Sequence, residues 1–430
     1  MASETVSYRL LAGPAAGAGA EPLPAHLARL GPWQSARLHG AWLVDDLDES
    51  GVLGRGGAGF PVGRKWRAIA DRSPGGAVVL VNGAEGEPRS HKDRILMTHR
   101  PHLVLDGAML AAEAIGARTV VVYVGEEHVG ATAAIRRAVE ERTGSGEPPV
   151  QLVRAPIGYV AGEASAAVQY VDRGIARPTS PPRPSERGVG GRPTLVQNVE
   201  SLAYAALIAR FGAAWYREPG REVARGTALV TAGLMDARPV VRELELGTTV
   251  GELAAGLGLS GTTVDAVLVG GYFGTWSPAS EAWAMPLDPT LMTAGGLTFG
   301  CGMVTFLPAA ACGVTATAGI MGFMARGSAR QCGPCLYGLA AIAEIADDLA
   351  ACRAGTAELD DLDRLLGLVA GRGACHHPDG AAQLMASALR TFDVELGRHA
   401  RLGRCSADRS TAVGAAAPQL QTLGVIDRVA

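Results

Sequence analysis

The sequence of 430 residues predicts an α/β domain with a mostly parallel sheet, then a small module of short strands and a C-terminal helical bundle. In the first region, apolar runs alternate with segments of helical spacing between residues 77 and 154. Short strand-like runs follow from about residue 226, and beyond residue 302 apolar residues recur at helical spacing. Strands that alternate with helices are typical of a parallel sheet covered by helices.

Short apolar or β-branched runs predict the strands of the first region, and amphipathic segments predict its helices. The strands are Ala77 to Val81, Thr119 to Val124 and Gln151 to Arg154, and the helices are Leu103 to Ile115 and Glu127 to Glu141. The first 50 residues show only short helical pieces, around Leu27 to Trp42, and are expected to form an irregular N-terminal arm.

The second region is predicted to be β-grasp-like, because a helix at Val250 to Ala255 interrupts its short strands. These strands are Ala228 to Ala232, Val240 to Leu246 and Ala266 to Val269. Helical spacing in the bundle is carried by Leu339, Ile342, Ile345 and Leu349, by Leu359, Leu362, Leu366 and Val369, and by Leu384, Ala388, Phe392 and Leu396. Asp379 is the expected N-cap of the last group.

These patterns divide the chain into five segments. They are the arm 1–50, the α/β domain 51–222, the β-grasp-like domain 223–300, the bundle 301–404 and a tail 405–430. Residues 299–325 carry no charge over 27 positions, as a membrane span would. Pro308 and many small residues interrupt the segment, which favours a buried strand followed by a buried helix.

Composition restricts the classes of partner. A net charge of −3 provides no basic field for nucleic acid or an anionic membrane surface. The opening MASETVSYRLLAG lacks a basic segment followed by an apolar one, so export is not indicated and we expect a cytoplasmic protein.

A glycine-rich loop is the first candidate binding site. It reads Gly54, Arg55, Gly56, Gly57, Ala58, Gly59, Phe60, Pro61, with Arg64 and Lys65 directly behind it. Glycines let backbone N–H groups approach a ligand closely, and together with an ammonium group they suit a phosphate. The alternative is a tight turn without a ligand, since isolated glycine-rich patterns are weak signals.

Polar turns follow two of the predicted strands. The first is Asn82 to Pro88, which includes Glu85 and Glu87, and the second is Gly158 to Glu163, which includes Tyr159 and Gly162. Carboxyl ends of strands in open α/β sheets are where ligands bind. Gln197 and Asn198 offer amide donors and acceptors for the edge of a heterocycle. For these two amides, a helix N-cap is the simpler interpretation.

The cysteines indicate metal chemistry. The chain has seven, and Cys332, Cys335 and Cys375 are placed to bring three thiolates to one end of the bundle. Three thiolates suit an iron–sulfur cluster or, with a fourth ligand, zinc. A thioredoxin-type pair is a rival, although no βαβ pattern surrounds it. The other four, Cys301, Cys312, Cys352 and Cys405, are interpreted as small apolar residues.

Six ordered segments resemble the flavin- and NADH-binding subunit of respiratory complex I and its relatives in NAD-linked hydrogenases and formate dehydrogenases. The segments are GRGGAGFPVGRKW, VNGAEGEPRSHKDR, GYVAGE, GRPTLVQNVESL, QCGPC and GRGAC, and they lie between about residues 50 and 400. The resemblance implies an FMN-binding α/β domain, a ubiquitin-like β-grasp (SLBB-type) domain and a helical bundle that holds a [4Fe-4S] cluster. It further implies that hydride passes from NADH to the flavin and that single electrons leave through the cluster.

The resemblance also implies roles for particular residues. The FMN phosphate and ribityl chain would lie against Gly54, Arg55, Gly56, Gly57 and Lys65, within the loop that includes Ala58 and Gly59. The flavin ring would be lined by Asn82, Tyr159, Gly162, Glu163 and Asn198. Glu85 and Gln197 would also belong to the cofactor-binding residues. Phe60, Lys65 and Glu87 would face the nicotinamide, with Glu87 and Lys65 as catalytic groups. Cys332, Cys335 and Cys375 would ligate the cluster.

Several positions depart from the family pattern. The first cysteine of its CxxCxxC motif falls on Ala329, so that the fourth cluster ligand must come from elsewhere, with Cys312, His376 and His377 as candidates. Acids of the dinucleotide pocket fall on Ala84 and Ala164, and two adenine-stacking aromatics fall on Ala68 and Arg183. Loss of stacking weakens NADH binding, and loss of the ribose acid removes a selector against NADPH.

Three interpretations therefore stand at this point. The first is an electron-transfer subunit that oxidises NADH or NADPH through FMN and the cluster, together with other electron-transfer subunits. In the second, a partner such as a ferredoxin supplies the electrons. In the third, the chain is a degenerate assembly subunit without activity.

Overall fold

The structure is a computed structural model that describes residues 8–72, 76–179 and 181–407. Its N-terminal segment contains the helices α1 (Leu23–Leu30) and α2 (Gly40–Ser50), with 3-10 turns at Ala16–Ala18 and Trp33–Ser35. The chain before α1 packs against the body of the protein, since the buried Glu243 carboxylate accepts hydrogen bonds from the backbone of Arg9 and Leu10. The expected N-terminal arm is thus anchored at Arg9 and Leu10.

In the described residues, the first domain contains four strands and six α-helices. In chain order these are α3 (Val62–Ala70), β1 (Val78–Gly83), α4 (Lys92–His99), α5 (Pro101–Ala114), β2 (Val120–Gly125), α6 (Val129–Glu141), β3 (Val150–Ala155), α7 (Ala164–Arg173), β4 (Thr194–Asn198) and α8 (Val199–Arg217). The helix α2 of the N-terminal segment packs beside α8. The strand order is β3-β2-β1-β4. Every pairing is parallel, so the predicted parallel sheet is confirmed.

Both faces of this sheet are covered, which explains why its strands read as continuous apolar runs. Val79 and Val81 belong to a core shared with α5 and α8, whereas Leu80 and Tyr123 pack towards α7. Because β1 and β4 are parallel neighbours, Asn82 lies opposite Asn198 at their carboxyl ends. This edge of the sheet is where the polar turns of the sequence meet.

The second domain is a mixed sheet of five strands. Its elements are β5 (Thr227–Leu234), β6 (Val240–Glu245), α9 (Val250–Gly256), β7 (Val264–Val269), β8 (Thr275–Pro278), α10 (Ala279–Ala282), α11 (Pro289–Ala294) and β9 (Met303–Pro308). The strand order is β6-β5-β9-β7-β8, in which β5 and β9 are parallel. The central strand β9 lies beyond residue 300, where the sequence analysis placed the end of this domain, so the sheet itself continues to Pro308.

The bundle begins at α12 (Gly313–Arg326). It continues with a π-helical turn (Pro334–Gly338), α13 (Leu339–Ala350), α14 (Thr356–Val369), α15 (His377–Thr391) and α16 (Asp393–Leu402). Residues 299–325 thus form a strand and a helix, as expected. No helix in the described ranges is both long and apolar enough to cross a membrane.

Two details of the bundle differ from the sequence expectation. The last periodic segment is two helices, because Phe392 lies between α15 and α16 with non-helical backbone angles. Asp379 is not an N-cap but lies inside the first turn of α15, where its carboxylate accepts a hydrogen bond from Gly371 N at 2.8 Å. His376 occupies the cap position instead. Of the predicted tail, residues 405–407 are described, and 408–430 lie outside the described residues.

Candidate functional site

The glycine loop is closed by hydrogen bonds at its base. Gly54 N donates to Phe60 O at 2.9 Å, and Val62 N donates to Val52 O at 3.1 Å. Gly57 adopts φ of +108°, and a Cβ placed there would meet no atom within 4 Å. The loop therefore presents backbone next to open space, directly before the first turn of α3. Phe60 is 55% exposed at its rim.

The Arg55 side chain is buried and anchors the glycine loop to the rest of the protein. Its buried Nη2 donates to Tyr216 Oη and to Thr227 O, each at 3.3 Å, and its backbone N donates to Ser201 Oγ at 3.0 Å. The guanidinium is thus directed at α8 and β5. Of Arg55, which the resemblance placed against the FMN phosphate and ribityl chain, the guanidinium is therefore already held by protein groups.

Lys65 carries an ammonium group that has no carboxylate partner. In the part of the chain that the structure describes, no carboxylate oxygen lies within 4.0 Å of its Nζ, which instead donates to Val196 O on β4. Burial lowers the pKa of Lys65 to about 8. An unpaired ammonium at the carboxyl end of β4, on the helix that follows the glycine loop, is suited to an anion.

The amides at the ends of β1 and β4 have different roles. Asn198 is the N-cap of α8, because its Oδ1 accepts from Glu200 N at 2.9 Å, as the simpler interpretation predicted. Asn82 Nδ2 donates to Gly162 O at 2.8 Å and so joins the two polar turns. Gln197 is buried, and its Oε1 has no hydrogen-bond partner. Of these amides, Gln197 therefore has acceptor capacity left for a ligand.

Two carboxylates predicted to belong to the cofactor site act as helix caps. Glu85 accepts hydrogen bonds from Asp93 N at 2.9 Å and Arg94 N at 3.0 Å, in the first turn of α4. Glu163 Oε2 accepts from Ser165 N at 2.9 Å and Ala166 N at 3.0 Å, at the start of α7. Both carboxylates stabilise the turns that contain them, whatever else they contact.

Glu87 is the perturbed carboxyl group of the site. Its Oε2 accepts from Tyr159 Oη at 3.2 Å and from Tyr272 N at 2.9 Å, while Oε1 is buried without a partner. Burial raises the pKa of Glu87 to about 7. Cys301 lies beside it, since a Cβ built on Gly271 would be 2.8 Å from Glu87 Oε2 and 2.9 Å from Cys301 Sγ.

Tyr159 connects this carboxyl group with the helical bundle. Its ring centroid lies 5.1 Å from that of Phe273, 5.9 Å from Phe323 and 5.5 Å from His377. His377 is two residues from Cys375. The turn Gly158 to Glu163 therefore lies between the polar edge of the first sheet and the cysteine-containing end of the bundle.

The three predicted cluster cysteines come together at that end. Burial and the adjacent Cys332 thiol raise the pKa of Cys335 to about 12, and Cys375 is near enough to contribute. Burial raises the pKa of Cys375 as well, with smaller contributions from Glu163 and Cys332. Three thiols gathered from two loops are a donor set that suits an iron–sulfur cluster.

Neither Cys312 nor His376 is placed as a fourth cluster ligand. Cys312 precedes α12, and the 14 residues of that helix separate it from the Cys332 turn by about 21 Å. The His376 side chain is 96% exposed and lies 3.5 Å from the Asp379 carboxylate. His377 is buried, and its Nε2 hydrogen-bonds to Met324 O at 2.8 Å, while Nδ1 has no partner. Cys312 was interpreted from the sequence as a small apolar residue, but it also makes a polar contact, because its Sγ lies 3.6 Å from His399 Nε2.

Both implied cofactors fit the residues present. For FMN, the open space at Gly57, the unpaired Lys65 ammonium and the orphaned Gln197 Oε1 supply a phosphate cradle and a ring partner. For a cluster, the thiols of Cys332, Cys335 and Cys375 fit three ligand positions. The fourth position has no thiolate, because Ala329 stands where the family motif has a cysteine.

Fold and site together define a flavin and iron–sulfur electron-transfer subunit. The Nuo51 FMN-binding domain matches residues 47–206, and the iron–sulfur binding region of NADH-ubiquinone oxidoreductase-F matches residues 315–399. The chain is 32% identical over 378 residues to the F 2 subunit of NADH-quinone oxidoreductase from Rhizobium meliloti (strain 1021), with 84% of this chain and 90% of that protein covered. It is 30% identical to the corresponding F subunit from Rhodobacter capsulatus, with 83% and 86% covered.

The chain therefore belongs to the family of NADH-quinone oxidoreductase F subunits. A solved structure of an NAD+-reducing [NiFe]-hydrogenase in the H2-reduced state is similar, with a TM-score of 0.78 and 27% identity, over 89% of this chain and 67% of that one. The predicted class, an FMN and [4Fe-4S] electron-transfer subunit of complex I type, is confirmed by these matches.

Sequence reasoning missed a buried charged group below the glycine loop. Lys92 Nζ lies 2.6 Å from Asp93 Oδ1 and 2.9 Å from Glu200 Oε2. The other carboxylate oxygen of Glu200 lies 3.7 Å from Arg55 Nε. These residues lie inside three of the matched segments, but only the fold shows that their charges neutralise one another across α4, α8 and the glycine loop.

Proposed function

We propose that this subunit oxidises a reduced nicotinamide dinucleotide at an FMN held against the glycine loop, and that the electrons leave through the thiolate-bound cluster of the bundle. The observation that carries the proposal is the position of Tyr159, which hydrogen-bonds to Glu87 on one side and packs against His377, near Cys375, on the other. The proposed flavin site and the proposed cluster site thus lie on either side of the turn that contains Tyr159.

Each part of the binding site has a distinct task in this proposal. The backbone of Gly56, Gly57 and Gly59 approaches the phosphate, and the Lys65 ammonium neutralises it. Gln197 supplies an acceptor to the edge of the ring. FMN, when bound, accepts two electrons together and releases them singly.

Glu87 and Tyr159 form the proton-handling pair. A carboxyl group with a pKa near 7 exchanges its proton readily at neutral pH, and its unpartnered Oε1 is the atom placed to do so. The Tyr159 hydroxyl and Tyr272 N hold Oε2, which fixes the orientation of the carboxyl group.

The second domain is proposed to be a ubiquitin-like β-grasp of the SLBB type. Its strand order, with the first and last strands as parallel neighbours at the centre, supports this assignment. We further propose that the chain works in the cytoplasm and together with other electron-transfer subunits. A relative named as a subunit of NADH-quinone oxidoreductase supports the second part.

A second candidate function is a flavoprotein that receives its electrons from a ferredoxin-like partner. Ala68, Ala84 and Ala164 favour it, because small side chains stand where the dinucleotide would be gripped, and the side chain of Arg183 is exposed. Anaerobic titration distinguishes the two. Bleaching of the bound flavin by NADH or NADPH supports the first function, whereas bleaching only by reduced ferredoxin supports the second.

A further inference from the structure

A second group of metal-ligating side chains lies at the opposite end of α12 from the Cys332 turn. We propose that Cys312, Glu395, His399 and Cys405 bind one zinc ion that joins the last segment of the described chain to the start of the bundle. Their ligand atoms all lie within 4.8 Å of one another. This site is separate from the iron–sulfur site, because the length of α12 lies between them.

The backbone brings these four residues together from three places. Glu395 and His399 are four residues apart on α16 and therefore share one face of the helix. Cys312 immediately precedes α12. After α16, Gly403 adopts φ of +58°, a left-handed conformation that turns the chain back and places Cys405 beside the other ligands.

The contacts around the four ligands orient them towards a common centre. Nδ1 of His399 hydrogen-bonds to Leu349 O at 2.8 Å, which directs Nε2 towards Glu395 Oε1 at 3.2 Å and Cys312 Sγ at 3.6 Å. Thr315 N donates to Cys312 Sγ at 3.5 Å. Fixing one imidazole nitrogen on a backbone carbonyl is the usual way in which a metal-binding histidine is held.

The chemical identity of the four ligand atoms indicates which metal ion the site binds. Two sulfurs, one imidazole nitrogen and one carboxylate oxygen are ligands that Zn²⁺ accepts in tetrahedral geometry. Magnesium and calcium prefer oxygen ligands throughout, so these ions do not suit the site. With four protein ligands and His399 fully buried, the site leaves no position for a substrate and is structural.

Metal analysis of the complete chain tests the proposal. The protein is produced in zinc-supplemented medium, purified anaerobically, passed over a chelating column and analysed by inductively coupled plasma mass spectrometry. We expect about one zinc per chain in the wild type, as a closed structural site requires. Cys405→Ser and His399→Gln should each lose it. Cys352→Ser is the matched control and should retain it, and Cys335→Ser should lose iron but retain zinc.

Cobalt substitution gives a readout in the wild-type chain that does not depend on the folding of the Cys405 and His399 variants. The wild-type chain reconstituted with Co²⁺ should show thiolate-to-cobalt charge-transfer absorption and the ligand-field bands of a tetrahedral ion, in the Cys335→Ser background as well. A wild-type chain without zinc, a zinc content unchanged in Cys405→Ser and His399→Gln, or a Cys312–Cys405 disulfide in the anaerobic protein would overturn the assignment.

Discussion

The Tyr159 hydroxyl donates a hydrogen bond to Glu87 Oε2 over 3.2 Å, and the same tyrosine packs its ring 5.5 Å from that of His377. One side chain therefore touches both the perturbed carboxyl group of the α/β domain and the cysteine-containing end of the bundle. The predictions below concern the two sites that this residue connects.

Gly57→Leu should abolish FMN binding. The side chain would enter the open space beside the loop, and a positive φ strains any residue with a Cβ by about 1–2 kcal/mol. Gly144→Leu is a matched control, because Gly144 also has positive φ and open space but lies on a remote turn. The flavin-to-protein ratio is measured after gel filtration. Equal flavin content in the two variants would refute the location of the FMN site.

Lys65→Met should weaken FMN binding by about tenfold or more, which corresponds to roughly 1.4 kcal/mol. In the wild type, affinity for FMN should also fall as pH rises above 8, because the free protein then loses the Lys65 proton. The variant should lack this pH dependence. The exposed neighbour Arg64 provides the control, since Arg64→Met should bind FMN as the wild type does.

The lowered pKa of Lys65 also predicts how the stability of the flavin-free protein depends on pH. Its folded pKa of about 8 lies below the ordinary value of 10.5, so between these pH values the unfolded chain holds a proton that the folded chain has released. The free energy of unfolding should therefore rise with pH in this window. Urea unfolding of wild type and Lys65→Met at several pH values measures the difference, and parallel curves would contradict it.

Glu87→Gln should remove an inflection near pH 7 from the rate of flavin reduction by the nicotinamide donor. Because burial raises the Glu87 pKa from 4.5 to about 7, the wild type should also lose stability relative to the variant as pH rises through that window. Rapid-mixing kinetics measures the first effect and thermal melts the second. Glu281→Gln, at an exposed position, should change neither profile.

Nicotinamide binding is expected to be weak and not selective for NADH. Ala164, at the start of α7, should be unable to repel a 2′-phosphate, so NADPH should reduce the flavin at least as well as NADH. Ala164→Glu should raise the KM for NADPH more than that for NADH, because the added charge opposes the phosphate. Tight and strictly NADH-selective reduction of the wild type would refute this reasoning.

Cys375→Ala should lose the cluster signal in electron paramagnetic resonance and most of the bound iron. Cys352→Ser is the control and should keep both. Since Ala329 replaces a thiolate, we expect a non-cysteine fourth ligand. The buried His377, two residues after Cys375 and with an unpartnered Nδ1, is the remaining candidate. A full wild-type signal in Cys375→Ala would rule out the ligand set.

Much of the fold follows from local periodicity, which the sequence displays directly. Three of the four parallel strands were recognisable because both faces are buried, as at Val79 and Leu80, whereas β4 was not predicted. The position of β9 was not, because a central strand pairs with β5 over about 70 residues of chain and nothing local records that pairing. The break at Phe392 was hidden for a similar reason, since apolar spacing continues across it.

The segments that form the site could be predicted from the sequence, but what most of their individual residues do could not. Glu85 and Glu163 were placed correctly in turns, yet each caps a helix whose start the sequence did not mark. The N-cap role of Asn198, in contrast, was predicted. Arg55 faces α8 because Tyr216 and Thr227 lie there, which only the tertiary structure determines. The contact of Cys312 with His399 joins residues from separate helices and has no local signal.

The most direct test is anaerobic reduction of the purified, flavin-loaded protein. Added NADH or NADPH should bleach the flavin absorbance, and a cluster signal should then appear in electron paramagnetic resonance without any other reductant. In Cys375→Ala the flavin should still bleach but no cluster signal should follow. A wild-type protein that binds no flavin, or whose flavin is reduced by neither nucleotide although dithionite reduces it, would contradict the proposed oxidation of a nicotinamide donor.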